Sequence, residues 1–555
     1  WGSTAGGTEI VIPAPPSGTV IQTAKSDTHS LALTDEQVVY GWGRNHKGSL
    51  LELNQQNIPE PKRLTKLKIP ATHGAIASVE VLRWNSYALM SDGALYAWGD
   101  NSRGLLGIGT TIGYTPDAMR VPFPEGVRIA QFASAPDAFH AIALDTDGVV
   151  WTWGDNAYGQ LGDGTTVTNG TPRPVRIDTD ARIRSVHNSG QTSLALAADG
   201  TVWTWGANFH GQLGIPAMEH RSLPGPTDLP VPATRLLVGP ETILAWDAAG
   251  NIWGWGANYY GAVSGAAPVR APASFEIEEY PNGVLGEDSA IRTPTLIPGF
   301  AERGYTPIAV SWVPFVHDPA QRLLTWGGNN FGQTGQGVDE ELVLSPGPAG
   351  ELSRVADGAQ SGWYALAQLE DGSVWTWGRN QYGQLGLGSA EPQKNTPQRV
   401  NFPALEVTLD GVAQPIVSRD SAAGTVTIIA PPHAAGPVDI RVLTRSGATG
   451  EELSAVDYPG GFTYLAPPEI TSPPETAPAQ VGASAEHALT ATGDPVIAFA
   501  VTAGELPPGL SLDATTGLIS GTPTRAGAWT VTVTATNRVG EDRQELRFTV
   551  EPKPG

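Results

Sequence analysis

Histidine and carboxylate side chains are the groups in this chain that could carry acid–base chemistry. The 555 residues include 10 histidines and 55 aspartates and glutamates, and they include no cysteine. The absence of cysteine excludes thiol nucleophiles, disulfides and thiolate metal sites. The sequence contains no Gly-x-Ser-x-Gly nucleophile elbow, no phosphate-binding glycine loop and no His-Glu-x-x-His zinc motif. Acidic residues such as Asp513 are isolated, whereas a calcium-binding loop requires several acidic residues close together. From the missing motifs and the isolated carboxylates together, we predict no catalytic residue, no metal and no cofactor.

Aromatic side chains provide the second kind of candidate, because tryptophan and tyrosine are common anchors of binding surfaces. The chain has 17 tryptophans, and seven of them recur in a fixed pattern. Glycine follows each of these tryptophans directly, asparagine stands three residues after it, and a second glycine stands six residues after it. The pattern occurs at Trp42, Trp98, Trp153, Trp205, Trp255, Trp326 and Trp377, with the asparagines Asn45, Asn101, Asn156, Asn208, Asn258, Asn329 and Asn380.

The repeated pattern predicts the elements that carry these residues. Hydrophobic, strand-like segments precede each copy, and most copies contain an Asp-Gly turn, which is typical of a four-stranded β-meander. Successive copies are 50 residues (Trp205 to Trp255) to 71 residues (Trp255 to Trp326) apart, which suits one blade of a radial array. A closed ring of such blades has no exposed sheet edges. We expect the repeated residues to be structural, since they recur in every unit.

The Trp-Gly-x-Asn-x-x-Gly-Gln-Leu-Gly runs at Trp153 and Trp377 resemble the regulator of chromosome condensation repeat family. The resemblance covers residues 19–404 and implies a seven-bladed β-propeller. This family includes proteins with unrelated functions, among them nucleotide exchange on a small GTPase, chromatin binding and inhibition of β-lactamase. The resemblance therefore implies a shape and leaves the partner open.

Segments on both sides of the predicted propeller resemble immunoglobulin-like sandwiches. Residues 405–466 are similar to the later strands of an IPT/TIG domain, whose glycine-glycine-threonine opening strand is found instead near Gly6. We therefore expect residues 1–18 to complete this sandwich, with the propeller inserted inside it. Residues 467–555 resemble immunoglobulin-like domains of bacterial surface proteins. The expected fold class is all-β, a seven-bladed β-propeller plus two immunoglobulin-like β-sandwich modules.

Two sets of loops are predicted to share one face of the propeller, because the first and third loops of a four-stranded meander emerge on the same side. The first set contributes large aromatic residues that differ between blades, namely Trp84, Phe139, Trp312 and Trp363, with Tyr364 beside the last. The second set contributes Tyr158, Tyr260, Phe331 and Tyr382. These residues are our candidate ligand-binding surface, and packing between blades is the alternative role. His29 and His140 occupy a variable repeat position and are expected to be structural.

The charge of the chain restricts the class of partner. A net charge of -22 opposes binding to nucleic acid. No apolar run approaches the roughly 20 residues that a membrane-spanning helix needs. The chain has an acidic insertion at residues 265–300, between the fifth and sixth copies of the motif. This insertion is either a recognition loop or a solvent-exposed loop without a binding role.

These observations favour a non-enzymatic extracellular binding protein. Our first hypothesis is an adhesin-like bacterial protein, secreted or cell-wall associated, whose aromatic face binds a protein or glycan, because the sandwich modules resemble a stalk. One alternative is a secreted enzyme inhibitor similar to the propeller-type β-lactamase inhibitor. The other is a propeller hydrolase or lyase with carboxylates in its channel. Because the chain starts abruptly at Trp1, we expect it to be part of a longer protein.

Overall fold

A computed structural model describes residues 1–52, 54, 56–111, 113–133, 135–258, 290–360, 363–389 and 391–554. The chain divides into two units. The propeller unit comprises Pro16–Pro403 and Ser446–Gly450, and the sandwich unit comprises Trp1–Pro15, Ala404–Arg445 and Glu451–Gly555. Both ends of the propeller segment therefore continue into the same sandwich unit.

The propeller unit consists of seven four-stranded antiparallel sheets, each built from consecutive strands. Two short strands precede them in the chain and belong to the sandwich unit: β1 (Gly2–Ser3) and β2 (Glu9–Pro13). The first three blades are β3 (Val20–Lys25), β4 (His29–Thr34), β5 (Val39–Gly43) and β6 (Ile58–Arg63); β7 (Ile76–Leu82), β8 (Asn85–Met90), β9 (Leu95–Asp100) and β10 (Tyr114–Arg120); and β11 (Ile129–Ala133), β12 (His140–Asp145), β13 (Val150–Gly154) and β14 (Asn169–Val175).

The remaining four blades repeat the same order of strands. They are β15 (Ile183–Ser189), β16 (Thr192–Ala197), β17 (Val202–Gly206) and β18 (Arg221–Pro226); β19 (Ala233–Gly239), β20 (Thr242–Asp247), β21 (Ile252–Ala257) and β22 (Ala290–Leu296); β23 (Thr306–Ala309), β24 (Phe315–His317), β25 (Arg322–Gly328) and β26 (Leu342–Ser353); and β27 (Val355–Gln360), β28 (Tyr364–Leu369), β29 (Val374–Arg379) and β30 (Gln393–Arg399). The first strand of the last blade, β27, lies against β3 of the first blade, so the ring is closed. The predicted seven-bladed propeller is confirmed.

The repeated tryptophans lie between neighbouring blades. All seven are fully buried, and the indole N–H of six of them donates to the backbone carbonyl seven residues after the tryptophan of the preceding blade. The bonds are Trp98 to Ser49, Trp153 to Leu105, Trp205 to Gln160, Trp255 to Gln212 and Trp377 to Gln333, with Trp42 to Gln384 closing the ring, at 2.8–3.2 Å. The equivalent acceptor for Trp326 would be Ala262, which lies outside the described residues.

The repeated asparagines fold the loop that follows each tryptophan. In the third blade, Asn156 Oδ1 accepts the N–H of Leu161 at 2.9 Å and its amide donates to the carbonyl of Thr165 at 3.1 Å. The same acceptor bond is made by Asn45, Asn101, Asn208, Asn329 and Asn380. A buried amide that satisfies turn backbone groups in this way is a structural device.

The two histidines link neighbouring blades. His29 Nε2 lies 3.0 Å from Ser86 Oγ, and His140 Nε2 lies 2.7 Å from Ser193 Oγ. Both rings are completely buried, and this burial lowers the pKa of each to about 3. They are therefore neutral hydrogen-bonding groups at ordinary pH.

The sandwich unit begins with two sheets that combine the N-terminal strands with the strands of residues 404–465. Its later strands are β31 (Ala404–Leu409), β32 (Val412–Gln414), β33 (Ile416–Asp420), β34 (Thr425–Ile429), β35 (Gly436–Arg445) and β36 (Glu452–Leu465). The sheet orders are β1-β36-β35-β31-β32 and β2-β34-β33. In β2, Ile10 and Ile12 are buried, whereas the residues that alternate with them are exposed. Ile10 belongs to the same hydrophobic core as Phe462. The N-terminal strand is thus an integral part of this sandwich.

The last part of the sandwich unit is a second immunoglobulin-like module. Its strands are β37 (Glu469–Ile470), β38 (Ala479–Gln480), β39 (Ala485–Ala488), β40 (Ala491–Thr492), β41 (Ala498–Ala503), β42 (Leu510–Leu512), β43 (Leu518–Gly521), β44 (Gly527–Asn537) and β45 (Gly540–Glu551). Phe499, Ile519 and Phe548 form its core with their neighbours. The described helices are short: α1 (Pro298–Arg303) and two single 3₁₀ turns at His46–Gly48 and Ala71–His73.

Candidate functional site

The candidate site is built from two loops of each blade that emerge at the same end of the strands. In the fourth blade, Thr192 at the start of the second strand pairs with Gly206 at the end of the third. The loop before the second strand, which we call the hairpin loop, therefore lies beside the loop after the third strand, which we call the motif loop. Together these loops form the face on which sequence analysis placed the variable aromatic residues.

The motif glycine lets the two loops approach each other. A Cβ atom at Gly256, where φ is +93°, would lie only 2.2 Å from the carbonyl oxygen of Glu241, and one at Gly327 would lie 2.1 Å from that of Trp312. Glycine is needed for such a close backbone approach. The N–H of Ala257 then donates to the Glu241 carbonyl at 2.7 Å. The recurring glycine of each repeat thus holds the backbone of the hairpin residue, whose side chain varies between blades.

A glutamine seven residues after the motif tryptophan holds the motif loop. Its side-chain oxygen accepts the backbone N–H of the residue two positions earlier. These bonds are Tyr158 to Gln160 (2.9 Å), His210 to Gln212 (2.7 Å), Phe331 to Gln333 (2.7 Å) and Tyr382 to Gln384 (2.8 Å). The backbone under the second set of candidate residues is therefore fixed in these four blades.

Side chains of a motif loop contact the hairpin loop of the next blade. The contacts are Lys47 over the Trp84 ring (5.9 Å to the centroid), Arg103 over Phe139 (4.2 Å), the rings of Phe331 and Trp363 (5.5 Å between centroids), and His210 Nε2 with Glu241 Oε2 (3.5 Å). The structure therefore brings motif loops against hairpin loops of the next blade, and it joins the two predicted sets directly at Phe331 and Trp363. We call the surface formed by these loops the loop face.

Arginines interleave with the aromatic rings of the loop face. The Arg83 guanidinium lies 3.7 Å from the ring centroid of Phe139 and 4.6 Å from that of Trp84. Arg379 lies 5.1 Å from both Phe331 and Trp363, and Arg44 lies 4.6 Å from Tyr382. These are cation–π distances. Sequence analysis did not identify the arginines.

Arg83 has an unusual backbone conformation. Its φ is +55°, in the left-handed region that favours glycine, and the equivalent residue of the fourth blade is Gly190, with φ +60°. The buried Nε atom of Arg83 has no hydrogen-bond partner among the described residues. A non-glycine residue in this region carries local backbone strain.

The candidate aromatic residues differ in exposure. Trp312 is 39% exposed. Trp84, Phe139, Trp363, Tyr158, Phe331 and Tyr382 are half-buried. Phe209, which sequence analysis did not select, is 44% exposed and packs edge-on against Tyr158. Tyr260 and residues 265–289 of the acidic insertion lie outside the described residues.

Tyr364 does not belong to the ligand-binding set in which sequence analysis placed it. Its side chain is completely buried, and its hydroxyl lies 2.9 Å from Ser30 Oγ. The Lys25 ammonium lies 3.8 Å from the centre of its ring and donates to its carbonyl at 2.9 Å. Burial raises the pKa of the Tyr364 hydroxyl. Tyr364 therefore stabilises the junction between the last blade and the first.

Carboxylates also lie on the loop face. Burial, with smaller contributions from Glu241 and Asp27, raises the pKa of Asp137 to about 7. Sequence analysis assigned none of these three residues, because it selected the aromatic side chains of these loops. Within the described parts of the chain, no cluster of three or more histidine, aspartate or glutamate side chains is arranged to hold a metal ion.

The helices provide one further result. None of those in the described ranges has the length and apolar composition needed to cross a membrane.

Comparison with known protein families identifies three matching segments. The RCC1-like domain family matches residues 4–313, and the regulator of chromosome condensation (RCC1) repeat matches residues 371–409. An Ig-domain family matches residues 462–552. The family matches thus cover most of the propeller and the second immunoglobulin-like module.

Individual relatives match parts of the chain. The chain is 27% identical to the ultraviolet-B receptor UVR8 of Arabidopsis thaliana over 417 residues, which is 72% of this chain and 85% of UVR8. It is 33% identical to the mitochondrial RCC1 domain-containing protein RUG3 of the same plant over 202 residues, which is 35% of this chain and 44% of RUG3. It is 25% identical to the mouse E3 ubiquitin-protein ligase HERC2 over 75% of this chain but 8% of HERC2.

Among solved structures, human WBSCR16 has the same fold. Its TM-score to this chain is 0.52 at 19% identity, over 72% of this chain and 99% of that protein. Since the RCC1-like domain model matches more than half of the 555 residues, the chain belongs to the RCC1-like domain family.

Proposed function

We propose that this protein is a binding protein whose loop face captures a polypeptide partner. The observation that carries the proposal is the contact between cationic or aromatic side chains of a motif loop and the aromatic hairpin-loop residue of the next blade, seen at Trp84, Phe139 and Trp363. Trp312, in the hairpin loop of the sixth blade, is 39% exposed. Tryptophan, tyrosine and arginine are the residues that dominate protein interfaces. The surface consists of side chains that vary between blades, held by motif residues that recur in every blade.

The stacking of arginines favours a polypeptide over a glycan. Sugars pack flat against a free aromatic ring, whereas Phe139 has guanidinium groups 3.7 Å and 4.2 Å from its centroid. Arginines held in this way present N–H groups to carbonyl and carboxylate oxygens of a partner. We therefore propose a protein partner, and a glycan is the competing outcome of the capture experiment.

The site of action is a further part of the proposal. An immunoglobulin-like module that follows a propeller resembles the stalk of a bacterial surface protein, so we propose an extracellular or cell-wall location. Fractionation of the source cells with an antibody against the propeller unit tests it. Recovery of the protein only from the soluble cell interior would contradict this location.

Two other functions use the same face. A secreted enzyme inhibitor would bind its target through the same aromatic residues, and the capture experiment identifies it if the captured protein is an enzyme that loses activity on binding. A hydrolase or lyase is favoured by one observation, the raised pKa of Asp137, which is caused mainly by burial, since a carboxylic acid that keeps its proton near neutral pH can act as a general acid. Turnover that is lost in Asp137→Asn but kept when the tryptophans are replaced would support catalysis.

The capture experiment compares two triple variants. Trp84→Ala, Trp312→Ala and Trp363→Ala together remove three rings from the loop face. Trp203→Ala, Trp246→Ala and Trp375→Ala together remove three half-buried rings from the opposite ends of the strands. We expect the first variant to lose capture of proteins from extracellular fractions and the second to retain it. Equal capture by both variants would overturn the proposal.

A further inference from the structure

Successive motif loops touch through the same pair of repeat positions at several places around the ring. The residue five positions after the motif tryptophan of one blade contacts the residue two positions after the motif tryptophan of the next. Between the first and second blades this contact is an ion pair, Lys47 Nζ with Asp100 Oδ1 at 2.8 Å. Between the second and third blades it is Arg103 Nη1 with Asp155 Oδ1 at 3.1 Å. At these two junctions, a carboxylate of the protein itself neutralises the positive charge of the motif loop.

The same contact has a different chemistry at the two junctions where the ring closes. The sixth and seventh blades are joined by the Phe331 ring and the Arg379 guanidinium, which lies 5.1 Å from the ring centroid. The seventh and first blades are joined by the Tyr382 ring and the Arg44 guanidinium, at 4.6 Å. An aromatic ring attracts a guanidinium but does not cancel its charge. Arginine therefore stands where the second and third blades have a paired aspartate, and its charge has no counterpart at the contact.

The carboxylates on the adjoining loops are engaged with other cations. The hairpin and motif loops of the first and seventh blades, residues 26–28, 44–57, 361–363 and 380–392, contain three carboxylates in the sequence. Their cationic neighbours are Lys25 for Asp27, Lys62 and Lys66 for Glu52, and Lys394 for Glu391. In the part of the chain that the structure describes, neither Arg44 nor Arg379 forms a salt bridge. The two guanidiniums thus remain uncompensated within these loops.

Both guanidiniums keep donors for a ligand. A guanidinium has five N–H donors, and the side-chain hydrogen bond described for this pair runs from Arg379 Nη2 to Gln381 Oε1. Both side chains are half-buried, and Arg379 also lies 5.1 Å from the Trp363 ring centroid. Contact with the rings holds each guanidinium in place, so less side-chain freedom is lost when a ligand binds. The planar fork of donors matches a carboxylate, which accepts two of its bonds at once.

We infer that Arg44 and Arg379 bind an acidic segment of the polypeptide partner through its aspartate or glutamate side chains. The inference rests on the proposed function, because it names the chemistry of the segment that the loop face captures. Tyr382 contacts Arg44 and belongs to the same motif loop as Arg379, so the two guanidiniums lie on adjoining loops.

The charge of the chain makes this pair selective for position. A chain with a net charge of -22 repels an acidic polypeptide as a whole. An acidic segment is therefore attracted where positive charge is locally in excess, and this is the case at the seventh and first blades. A nucleic acid also carries anionic groups, but its continuous row of phosphates meets the full repulsion of the chain.

Fluorescence anisotropy with a short acidic peptide tests the inference. The full chain is titrated into labelled hexaglutamate, and into labelled hexaglutamine as the uncharged counterpart. We expect hexaglutamate alone to bind, with an affinity that falls as sodium chloride is raised from about 0.05 to about 0.5 M, because salt screens exposed charges. Absence of hexaglutamate binding, or equal binding of both peptides, would overturn the inference. Tighter binding of an oligothymidylate than of hexaglutamate would overturn the assignment to a polypeptide.

Two double variants of equal net charge assign the binding to the named arginines. Arg44→Gln with Arg379→Gln is expected to weaken hexaglutamate binding by about tenfold or more, since two charge-assisted contacts are lost. The control is Arg173→Gln with Arg176→Gln, which removes two exposed arginines at the outermost strand of the third blade and should leave the affinity nearly unchanged. Thermal unfolding shows that both variants are folded. An equal loss in both would attribute binding to total charge and would contradict the inference.

The capture experiment separates this inference from the proposed function. Capture should fall in the Arg44→Gln, Arg379→Gln variant as well as in the tryptophan variant. Loss of capture in the tryptophan variant with full capture in the arginine variant would overturn this inference and leave the proposed function standing. Full capture in the tryptophan variant would overturn the proposed function itself.

Discussion

Arg83 combines a left-handed backbone conformation with contacts to two aromatic rings of the loop face. It occupies a left-handed backbone position that the fourth blade gives to Gly190, and its guanidinium is packed between two rings of the loop face. A side chain in this conformation is strained by roughly 1 kcal/mol. The strain is retained together with a side chain that faces the proposed partner, which is the pattern expected of a binding residue.

Replacement of Arg83 should separate stability from binding. We expect Arg83→Gly to change the free energy of unfolding by less than about 1 kcal/mol, because relief of backbone strain offsets the loss of stacking. Capture of the partner should fall at least severalfold. Urea unfolding and the capture assay measure the two effects. The control Gln321→Gly relieves a similar φ of +63° away from the loop face and should leave capture unchanged; a matching loss in both variants would argue against a role for Arg83.

Lys25 of the first blade contacts Tyr364 of the last blade, so the pH dependence of stability tests whether this contact closes the ring as described. Burial lowers its pKa from 10.5 to about 7, so between these values the unfolded chain binds a proton that the folded chain does not. Stability must therefore rise as the pH increases from 7 to about 10.5. Lys25→Met should remove this rise and stabilise the protein at neutral pH by roughly 1–3 kcal/mol. Urea unfolding at several pH values measures it, and an unchanged slope in the variant would show that Lys25 is not buried as described.

At the scale of the element, the repeat motif is both a structural device and a support for the site. Its tryptophan joins blades, its glycine admits the hairpin carbonyl and its asparagine folds the motif loop. These roles could be predicted from seven-fold recurrence, because a residue needed by the shape of every blade must appear in every blade. Arg83 and Asp137 could not be placed in the same way, since their contacts cross between blades and depend on the path of loops that differ in length.

The asparagine makes a quantitative prediction. Asn156→Ala leaves the N–H of Leu161 and the carbonyl of Thr165 without their side-chain partner, so we expect a loss of about 1–3 kcal/mol in the free energy of unfolding. Asn251→Ala changes an exposed turn asparagine and should cost less than about 0.5 kcal/mol. Chemical denaturation measures both, and equal losses would contradict the special role of the motif position.

At the scale of the whole molecule, the two ends of the propeller segment are held by one sandwich. The Gly-Gly-Thr pattern near Gly6 indicated this arrangement, since a sandwich that lacks its first strand must obtain one elsewhere in the chain. β2 pairs with β34 along its whole length, from Glu9 opposite Ile429 to Pro13 opposite Thr425. The Trp-Gly repeats carry no information about the pairing of β2 with β34. This pairing could be predicted only because the segments that flank the propeller resemble parts of one immunoglobulin-like sandwich.

Deletion of residues 1–15 should therefore destabilise a unit that lies far along the chain. Val426 and Ile428 are fully buried in the intact chain. The deletion removes β2 from its sheet and exposes these two side chains. We expect the sandwich transition to disappear or to move to a lower temperature in calorimetry. Removal of residues 552–555 leaves every strand intact and serves as the control. An unchanged thermogram after the N-terminal deletion would contradict the integral role of β2.

The central claim, that the loop face contacts a protein partner, is tested most directly by site-specific photo-cross-linking. Benzoylphenylalanine replaces Phe209, which is 44% exposed on the loop face, or Val149, which is 37% exposed beside the turn at the opposite end of the third blade. Both proteins are irradiated in the extracellular fraction, and products are identified by mass spectrometry. We expect one polypeptide to be cross-linked from position 209 and not from position 149. Cross-linking of a polypeptide from position 149 alone would contradict the claim.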